Sequence, residues 1–548
     1  MGSTILSTIV TLLFVYFLYK SISFLRFYIH AHRAGFPAYL SPVLSKSIPW
    51  LVLAPAFQPQ LEKYLPGWIY ERLDLVIHGW EFRRKREFHD RLGSIFAIVT
   101  PDECSVIVAD PAVGNLILQR RNDFLLAPIT ARLLGFLGPN VFTVNGDEWK
   151  RHRRLFAANL DERISRTVWI KSCQQAQTML EYMVDHPGGE TLDGLRSIAI
   201  NVIGQSGYSQ KRPWSPNLRE LTVDAKSGRT AYFMTLSMVT SMFLEAAMLP
   251  TKLMRLPLMP PALRSMGKHL ERIPQYTQEV LEEERQAATV VSDPRHNFLS
   301  LLLQLSDEEK RRGQSGFSLT DEEITGNMFI FSSAGFETTA NTMGYAVILL
   351  AAHPEWQDWV REELHVLDAD VSTWTYEDVY PKCRRTRAVM LETLRHFPPV
   401  LHSTRAVLAP QRLVSSDGTH HLAPPMDFFV SHLSIHLDAT IWGPDAEDFK
   451  PSRWFDDDGQ IITPPKGTFL PWSGGPRVCP GMKMSQVEFV AVMATLFRSA
   501  RCEPIPTLES HRPEDLQRRL QQLMDNSVSK LTLQVRDVKA VQLRWIRD

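Results

Sequence analysis

The stretch Trp472-Ser473-Gly474-Gly475-Pro476-Arg477-Val478-Cys479-Pro480-Gly481 decides how the chain is read, because an apolar-periodic helix is expected directly after it, from Met482 to Phe497. Cys479 therefore precedes a helix N-terminus, where unpaired amides and the helix dipole favour thiolate over thiol, the form that ligates a metal. Gly474, Gly475 and Gly481 remove side chains where a flat ligand would approach the backbone, and Arg477 is placed to meet an anionic group on it. Taken alone, the same residues also read as a tight turn whose cysteine is a small core hydrophobe.

Upstream, Thr320 and Glu323 have capping-box spacing, and an apolar-rich run extends from Ile324 to Ala352, stopping before His353-Pro354. A helix of that length spans about 45 Å, enough to cross a domain. Asn327, Glu337, Thr338, Thr339 and Asn341 lie inside it, so burial in protein rather than lipid is expected. From about Asp147 to Ala500 most segments read as amphipathic helices. Short β-rich stretches are expected at Ile95 to Thr100, Ser105 to Val108, and Leu531 to Trp545 with a break at Asp537. The fold class is mainly α with small β-sheets (α+β). The stretches Ser306 to Ser318 and Asp456 to Gly467 read as polar or Pro/Gly connectors.

The 548 residues carry 60 basic against 60 acidic side chains, with 44% hydrophobic and 22% charged residues, which argues against disorder and against a nucleic-acid partner. Five scattered cysteines without a C-x-x-C pair suit neither a disulfide scaffold nor zinc, and reduced thiols imply cytosolic exposure. From Thr4 to Tyr19 there is no charge, and the apolar run continues past Lys20 to Ile29, so a spanning helix is feasible if Lys20 or Arg26 snorkels. A cleaved signal peptide is the competing reading. No positive charge precedes the run, however, and Lys20, Arg26 and Arg33 lie on its C-terminal side, which keeps the large domain in the cytosol. The expected division is a transmembrane anchor over 1–30, a proline-rich connector over 31–66 and one large domain over 67–548.

The motifs, taken in order, resemble the cytochrome P450 family of haem-thiolate monooxygenases. The family pattern F-x-x-G-x-R-x-C-x-G is met at Gly475, Arg477, Cys479 and Gly481, with Trp472 in place of phenylalanine. The resemblance implies a cytochrome P450 fold and Cys479 as axial ligand to the iron of haem b, iron protoporphyrin IX. The Trp472 indole N–H could donate toward the sulfur and tune the iron. Ala334-Gly335-Phe336-Glu337-Thr338-Thr339 is similar to the family's oxygen-activation segment. That likeness implies that Gly335 leaves room for dioxygen, that Thr338 holds it by its hydroxyl, and that Glu337 passes protons through water. Alone, such a triplet in a helix is a local polar patch.

Glu392-Thr393-Leu394-Arg395 resembles the E-x-x-R motif, and Phe449-Lys450-Pro451-Ser452-Arg453-Trp454 resembles the later segment that adds an arginine, which implies a structural Glu392–Arg395–Arg453 lock. By itself E-x-x-R is a solvated ion pair of little energy. Trp149-Lys150-Arg151-His152-Arg153-Arg154 resembles the W-x-x-x-R helix, which places Trp149 and Arg153 at a haem propionate, and Arg405 matches a second propionate arginine. Arg151 and Arg154 read either as a solvated face or as part of a docking face for an acidic electron donor.

What the resemblance implies is oxidation of a small lipophilic substrate with dioxygen and NADPH-derived electrons, on a single-pass protein of the endoplasmic reticulum membrane. NADPH-cytochrome P450 reductase is the implied donor, with cytochrome b5 as an accessory one. The wording Leu470-Pro471-Trp472-Ser473-Gly474-Gly475-Pro476 is similar to filamentous-fungal members that tailor terpenoids, polyketides or alkaloids. Substrate contacts are expected from Phe124 to Val144, from Tyr232 to Leu256, at Phe329, Phe331, Ser333 and Ala334, and from Val400 to Thr404, where His402 or Ser403 could orient an oxygen. Two rivals stand beside this reading: a haem-thiolate isomerase or dehydratase that needs no reductase, and a haem carrier or sensor without catalysis.

Overall fold

The computed structural model describes residues 2–216, 228–288, 297–311, 318–416, 418–506 and 512–548. The chain divides into two compact units, a finer division than the large domain expected after residue 66. The first comprises Met1–Thr130, Val400–Ala446 and Pro464–Val478, and the second Ala131–Pro399, Glu447–Thr463 and Cys479–Asp548.

Among the described residues the first unit holds seven strands: β1 (Ala38–Leu40), β2 (Ile95–Val99), β3 (Cys104–Val108), β4 (His402–Val407), β5 (Gln411–Ser415), β6 (Gly418–Leu422) and β7 (Met426–Ser431). Five of them form a mixed sheet in the order β1-β2-β3-β7-β4, and β5 and β6 form a separate hairpin. Every residue of β2 and β3 is buried, as a sheet covered on both faces requires. Those two strands lie where the β-branched runs predict them. Strands β4 to β7 fall in a stretch read as helical. The inward-facing Ser403 and Arg405 of β4 and Asp427 of β7 are polar yet buried, so the period-2 hydrophobic signal is erased there.

The N-terminal helix, Gly2–Arg33, is long and apolar enough to cross a membrane, with mean hydropathy 1.8 over its best window and none of that window buried. Its last turns differ. Phe27 and Ala31, with Ala34 just beyond, are buried in the core that includes β2 and β3, and Lys20 Nζ lies 2.5 Å from Asp102 Oδ1. Lys20 is thus paired with a carboxylate of the protein. The proline-rich stretch 31–66, expected as a connector, contains β1 paired to β2 and a helix over Ile48–Tyr64. Ser47 caps that helix on Trp50 N–H, and Pro49 sits in the first turn, where no amide partner is lost.

The second unit is built around the predicted central helix, Asp321–Ala352. Its capping box is complete: Glu323 N–H donates to Thr320 Oγ1 at 3.2 Å, and Thr320 N–H donates to Glu323 Oε2 at 2.8 Å. The helix is buried nearly all round, Asn327 and Glu337 included, by the helices Thr191–Tyr208, Arg384–His396, Met482–Ser499 and Pro513–Asp525. Short strands pair as β8 (Ala500–Pro504) with β11 (Leu543–Arg547), and β9 (Ser527–Ser529) with β10 (Leu533–Val535). The expected connector at 306–318 begins inside the helix Phe298–Arg311, and 312–317 lie outside the described residues.

Candidate active site

Cys479 lies two residues before Gly481, the N-cap of the helix Met482–Ser499. Its sulfur is exposed, yet burial pushes the thiol up, against the Gly481 amide hydrogen bond and the Arg153 guanidinium, which pull it down. The helix terminus therefore acts in the predicted direction without prevailing, and a bound cation would be needed to displace the proton outright. Among the described residues no cluster of three His, Cys, Asp or Glu side chains is present, so a metal on this sulfur would draw its other ligands from a cofactor.

Two of the loop glycines do something other than predicted. Gly475 has φ +66°, and a Cβ there would stand 2.4 Å from the Leu118 carbonyl oxygen; at Gly474 it would stand 3.3 Å from Leu118 and Leu470. These glycines let the loop seat on the helix Pro111–Gln119, a packing role and not one of ligand approach. Gly481 does border the sulfur, 3.8 Å from where its Cβ would be. Trp472 stands edge-on to Phe469, with ring centroids 6.3 Å apart.

Arg405 is buried, and burial alone lowers its guanidinium to about 10. Its Nη1 donates to the Thr404 carbonyl at 2.8 Å, its Nε has no partner, and among the described residues no carboxylate pairs with it. Burial, with Arg405 and Arg121 nearby, likewise lowers Arg477 to about 10. A buried guanidinium with an orphaned N–H beside a second lowered one is costly unless an anion joins it. These residues fit the carboxylates of a haem, as an accessible cysteine sulfur fits its iron.

In the second unit the helix Gly146–Asn159 carries Trp149, buried, and Arg153, half-buried and lowered by burial although Cys479 opposes that shift. Its register is set by His152, which the sequence reading passed over. His152 is fully buried, with Nδ1 3.0 Å from Asn327 Nδ2 and Nε2 3.3 Å from Glu323 Oε1, while Asn327 Oδ1 accepts the Val141 N–H at 2.9 Å. Arg151 also reaches Glu323 and donates to the Ser318 carbonyl, so it is a helix tether and not a solvated face; Arg154, largely exposed, pairs with Glu309.

On the central helix, Ile330, Ala334 and Thr338 are half-buried, as are Gly335 and Asn341, and the spacing of four places the first three along one strip of the helix. The Thr338 hydroxyl donates to the Ala334 carbonyl at 2.7 Å. Gly335 does not provide room on that strip: a Cβ there would meet Ile203 at 2.7 Å, so this glycine permits close packing on the helix Thr191–Tyr208. Glu337 is also redirected. Its carboxylate pairs with Arg196 of the same neighbouring helix and accepts from Asn341 at 3.4 Å. No sequence spacing links position 196 to 337.

Glu392, Arg395 and Arg453 are brought together in a buried cluster. Glu392 Oε1 lies 2.8 Å from Arg395 Nη2 and 2.9 Å from Arg453 Nε, and both side chains of the E-x-x-R pair are fully buried. Burial would raise the Glu392 carboxyl, but hydrogen bonds from Arg395 and His396 hold it well below the usual carboxylate range. Trp454 Nε1 and Lys450 N–H complete the set, each donating at 2.9 Å.

Several expected substrate contacts are core residues. Phe331 stacks on Phe298 with centroids 4.1 Å apart, Phe329 meets Phe136 edge-on, and Phe124 packs on Phe428. Ser333 is buried, and among the described residues its hydroxyl has no partner. His402 Nδ1 lies 2.6 Å from Glu81 Oε1, and Ser403 hydrogen-bonds His432 and Ser473.

Comparison with known proteins agrees with this arrangement. The family model described as cytochrome P450 matches residues 66–528. The "Phomenoic acid biosynthesis cluster cytochrome P450 monooxygenase" of Leptosphaeria maculans is 30% identical, covering 94% of this chain and 95% of that protein. "Cytochrome P450 monooxygenase ORF6" of Penicillium roqueforti is 26% identical over 90% of each. Among solved structures, the one titled "Retinoic acid bound cyanobacterial CYP120A1" shares the fold with a TM-score of 0.66 at 17% identity, covering 86% of this chain and 95% of that one. With its cysteine loop, buried Arg405 and buried Glu-Arg-Arg lock, the chain belongs to the cytochrome P450 family and is an oxidoreductase of the monooxygenase kind.

Proposed function

We propose that the protein is a membrane-anchored haem-thiolate monooxygenase that uses dioxygen and NADPH-derived electrons to oxidise a small lipophilic compound in fungal secondary metabolism. The observation that carries this reading is the exposed Cys479, with Gly475, Arg477 and Gly481 around it, at the foot of the helix Met482–Ser499. Cys479 would hold the iron of haem b, while Arg405, Arg477, Trp149 and Arg153 would hold its propionates. The haem supplies the capacity to activate dioxygen, with a thiolate whose electron release favours O–O cleavage.

What the chain itself does is more local. The strip Ile330–Ala334–Thr338 offers an apolar wall with one hydroxyl, suited to a lipophilic substrate. Thr338 Oγ1 donates to Ala334 at rest and keeps its lone pairs as acceptors, so it can take a proton as it gives one. Glu337, clamped by Arg196 and Asn341, fixes this turn against the neighbouring helix. Electrons come from a reductase, with cytochrome b5 as an accessory donor. The apolar N-terminal helix and its trailing Lys20, Arg26 and Arg33 support a single pass in the endoplasmic reticulum membrane with the catalytic units in the cytosol.

Purified protein supplied with NADPH and reductase should consume dioxygen when candidate lipophiles are added. Turnover of a lipid hydroperoxide with no electron donor would instead establish the isomerase reading. In the Thr338→Ala variant, NADPH oxidation should persist while product per NADPH falls about 100-fold and hydrogen peroxide rises, whereas a haem carrier would be indifferent. Arg405→Leu removes the unpaired cation, so the haem-free protein should lose no stability, yet haem transfer to an acceptor apoprotein should accelerate about 10- to 100-fold, as loss of a charge-assisted hydrogen bond requires.

A further inference from the structure

The cysteine loop contains a residue that the Gly-rich turn alone does not explain. Ser473 has φ +61°, a left-handed conformation that costs a side-chain-bearing residue roughly 1–2 kcal/mol and glycine almost nothing, and it is followed directly by Gly474 and Gly475. The hydroxyl of this strained serine has a partner. Ser473 Oγ lies 2.8 Å from Ser403 Oγ, and Ser403 Oγ lies 2.9 Å from His432 Nε2. His432 Nδ1 is 2.8 Å from the Val400 carbonyl oxygen, which only accepts. The hydrogen therefore sits on Nδ1, Nε2 accepts from Ser403, and Ser403 accepts from Ser473. Burial lowers His432 to about 3, so the imidazole stays neutral and the direction of the chain is fixed.

The short helix His432–His436 grips the same loop a second time, since His436 Nε2 accepts the Leu470 N–H at 2.9 Å. Ser403 also stands two residues from Arg405 on β4, and hence on the same side of that strand.

We propose that His432, Ser403 and Ser473 are positioning residues: a one-way hydrogen-bond chain that holds the left-handed turn of the cysteine loop and ties the loop to the strand carrying Arg405. The inference rests on the haem-thiolate reading. It adds three residues that touch no substrate and assigns the strained serine a purpose.

Holoproteins carrying Ser473→Ala, Ser473→Gly, Ser403→Ala and the Ser403→Ala/Ser473→Ala pair separate backbone from hydroxyl. Each single variant, including Ser473→Gly despite its relaxed backbone, should release haem to an acceptor apoprotein about 3- to 10-fold faster. Each should also show a larger fraction of the reduced, carbon-monoxide-treated protein lacking the thiolate-type absorption. The pair should be no worse than either single change, because one chain is cut only once. Ser403→Thr, which keeps the hydroxyl, should restore the wild-type spectrum. A Ser473→Gly protein indistinguishable from wild type, or a pair whose effects multiply, would overturn the proposal while leaving the haem-thiolate reading intact. A wild-type protein with no thiolate-type absorption would overturn both.

Discussion

Cys479→Ala is expected to abolish the thiolate-type absorption of the reduced, carbon-monoxide-treated protein and to lower product formation by at least about 100-fold, roughly 2.7 kcal/mol of transition-state stabilisation. The fold should survive, because Cys479 is exposed and its polar contact within the loop is the Gly481 amide. Thermal unfolding of the haem-free variant should match haem-free wild type, whereas the loaded proteins should differ, since the ligand stabilises only the state that binds it. Cys479→Ser sharpens the comparison, because it keeps the size and the Gly481 contact but offers a hard oxygen in place of a soft sulfur. Full activity in either variant would remove the basis of the proposed function.

The second large effect is on stability. Glu392→Ala leaves Arg395 fully buried and Arg453 nearly so without this anion, and removes the acceptor that the Trp454 indole and the Lys450 amide share. Breaking a buried pair in this way costs about 3–5 kcal/mol, so the melting temperature should drop by about 5–10 °C or the variant should fail to accumulate folded. Were the E-x-x-R pair a solvated one, the change would cost about 0–1 kcal/mol. The pH dependence carries a sign. Because the folded carboxyl is depressed, its contribution is fully present above the unfolded value near 4.3 and is lost as pH falls through the lower folded value. The gap between wild type and Glu392→Ala should therefore be flat above about pH 5 and narrow only in strong acid. A gap that widened on acidification would contradict the assignment.

Ordering the haem-ligand loop takes more than the family motif shows. Gly475 is pressed onto Leu118, Ser473 is tied through Ser403 to His432, and Leu470 is tied to His436. These contacts involve partners at 118, 403, 432 and 436, and none has a spacing to the loop that a local pattern could reveal.

Features that depend on local backbone chemistry were legible in the amino-acid order alone. The central helix begins at its Thr320–Glu323 box and ends before Pro354, and the helix after the cysteine starts at Met482, because capping, proline and 3.6-residue periodicity act within a few residues. The cysteine motif was legible for the same reason: Gly475, Arg477, Cys479 and Gly481 stand in fixed short spacing. What those residues face was settled by long-range packing. It turned Gly335 toward Ile203, gave Glu337 to Arg196, buried Phe331 against Phe298, and made β4 a strand despite its polar interior. Direction of burial, the partner of a buried charge and long-range strand pairing all depend on contacts between residues far apart in the chain, which no short window of sequence encodes.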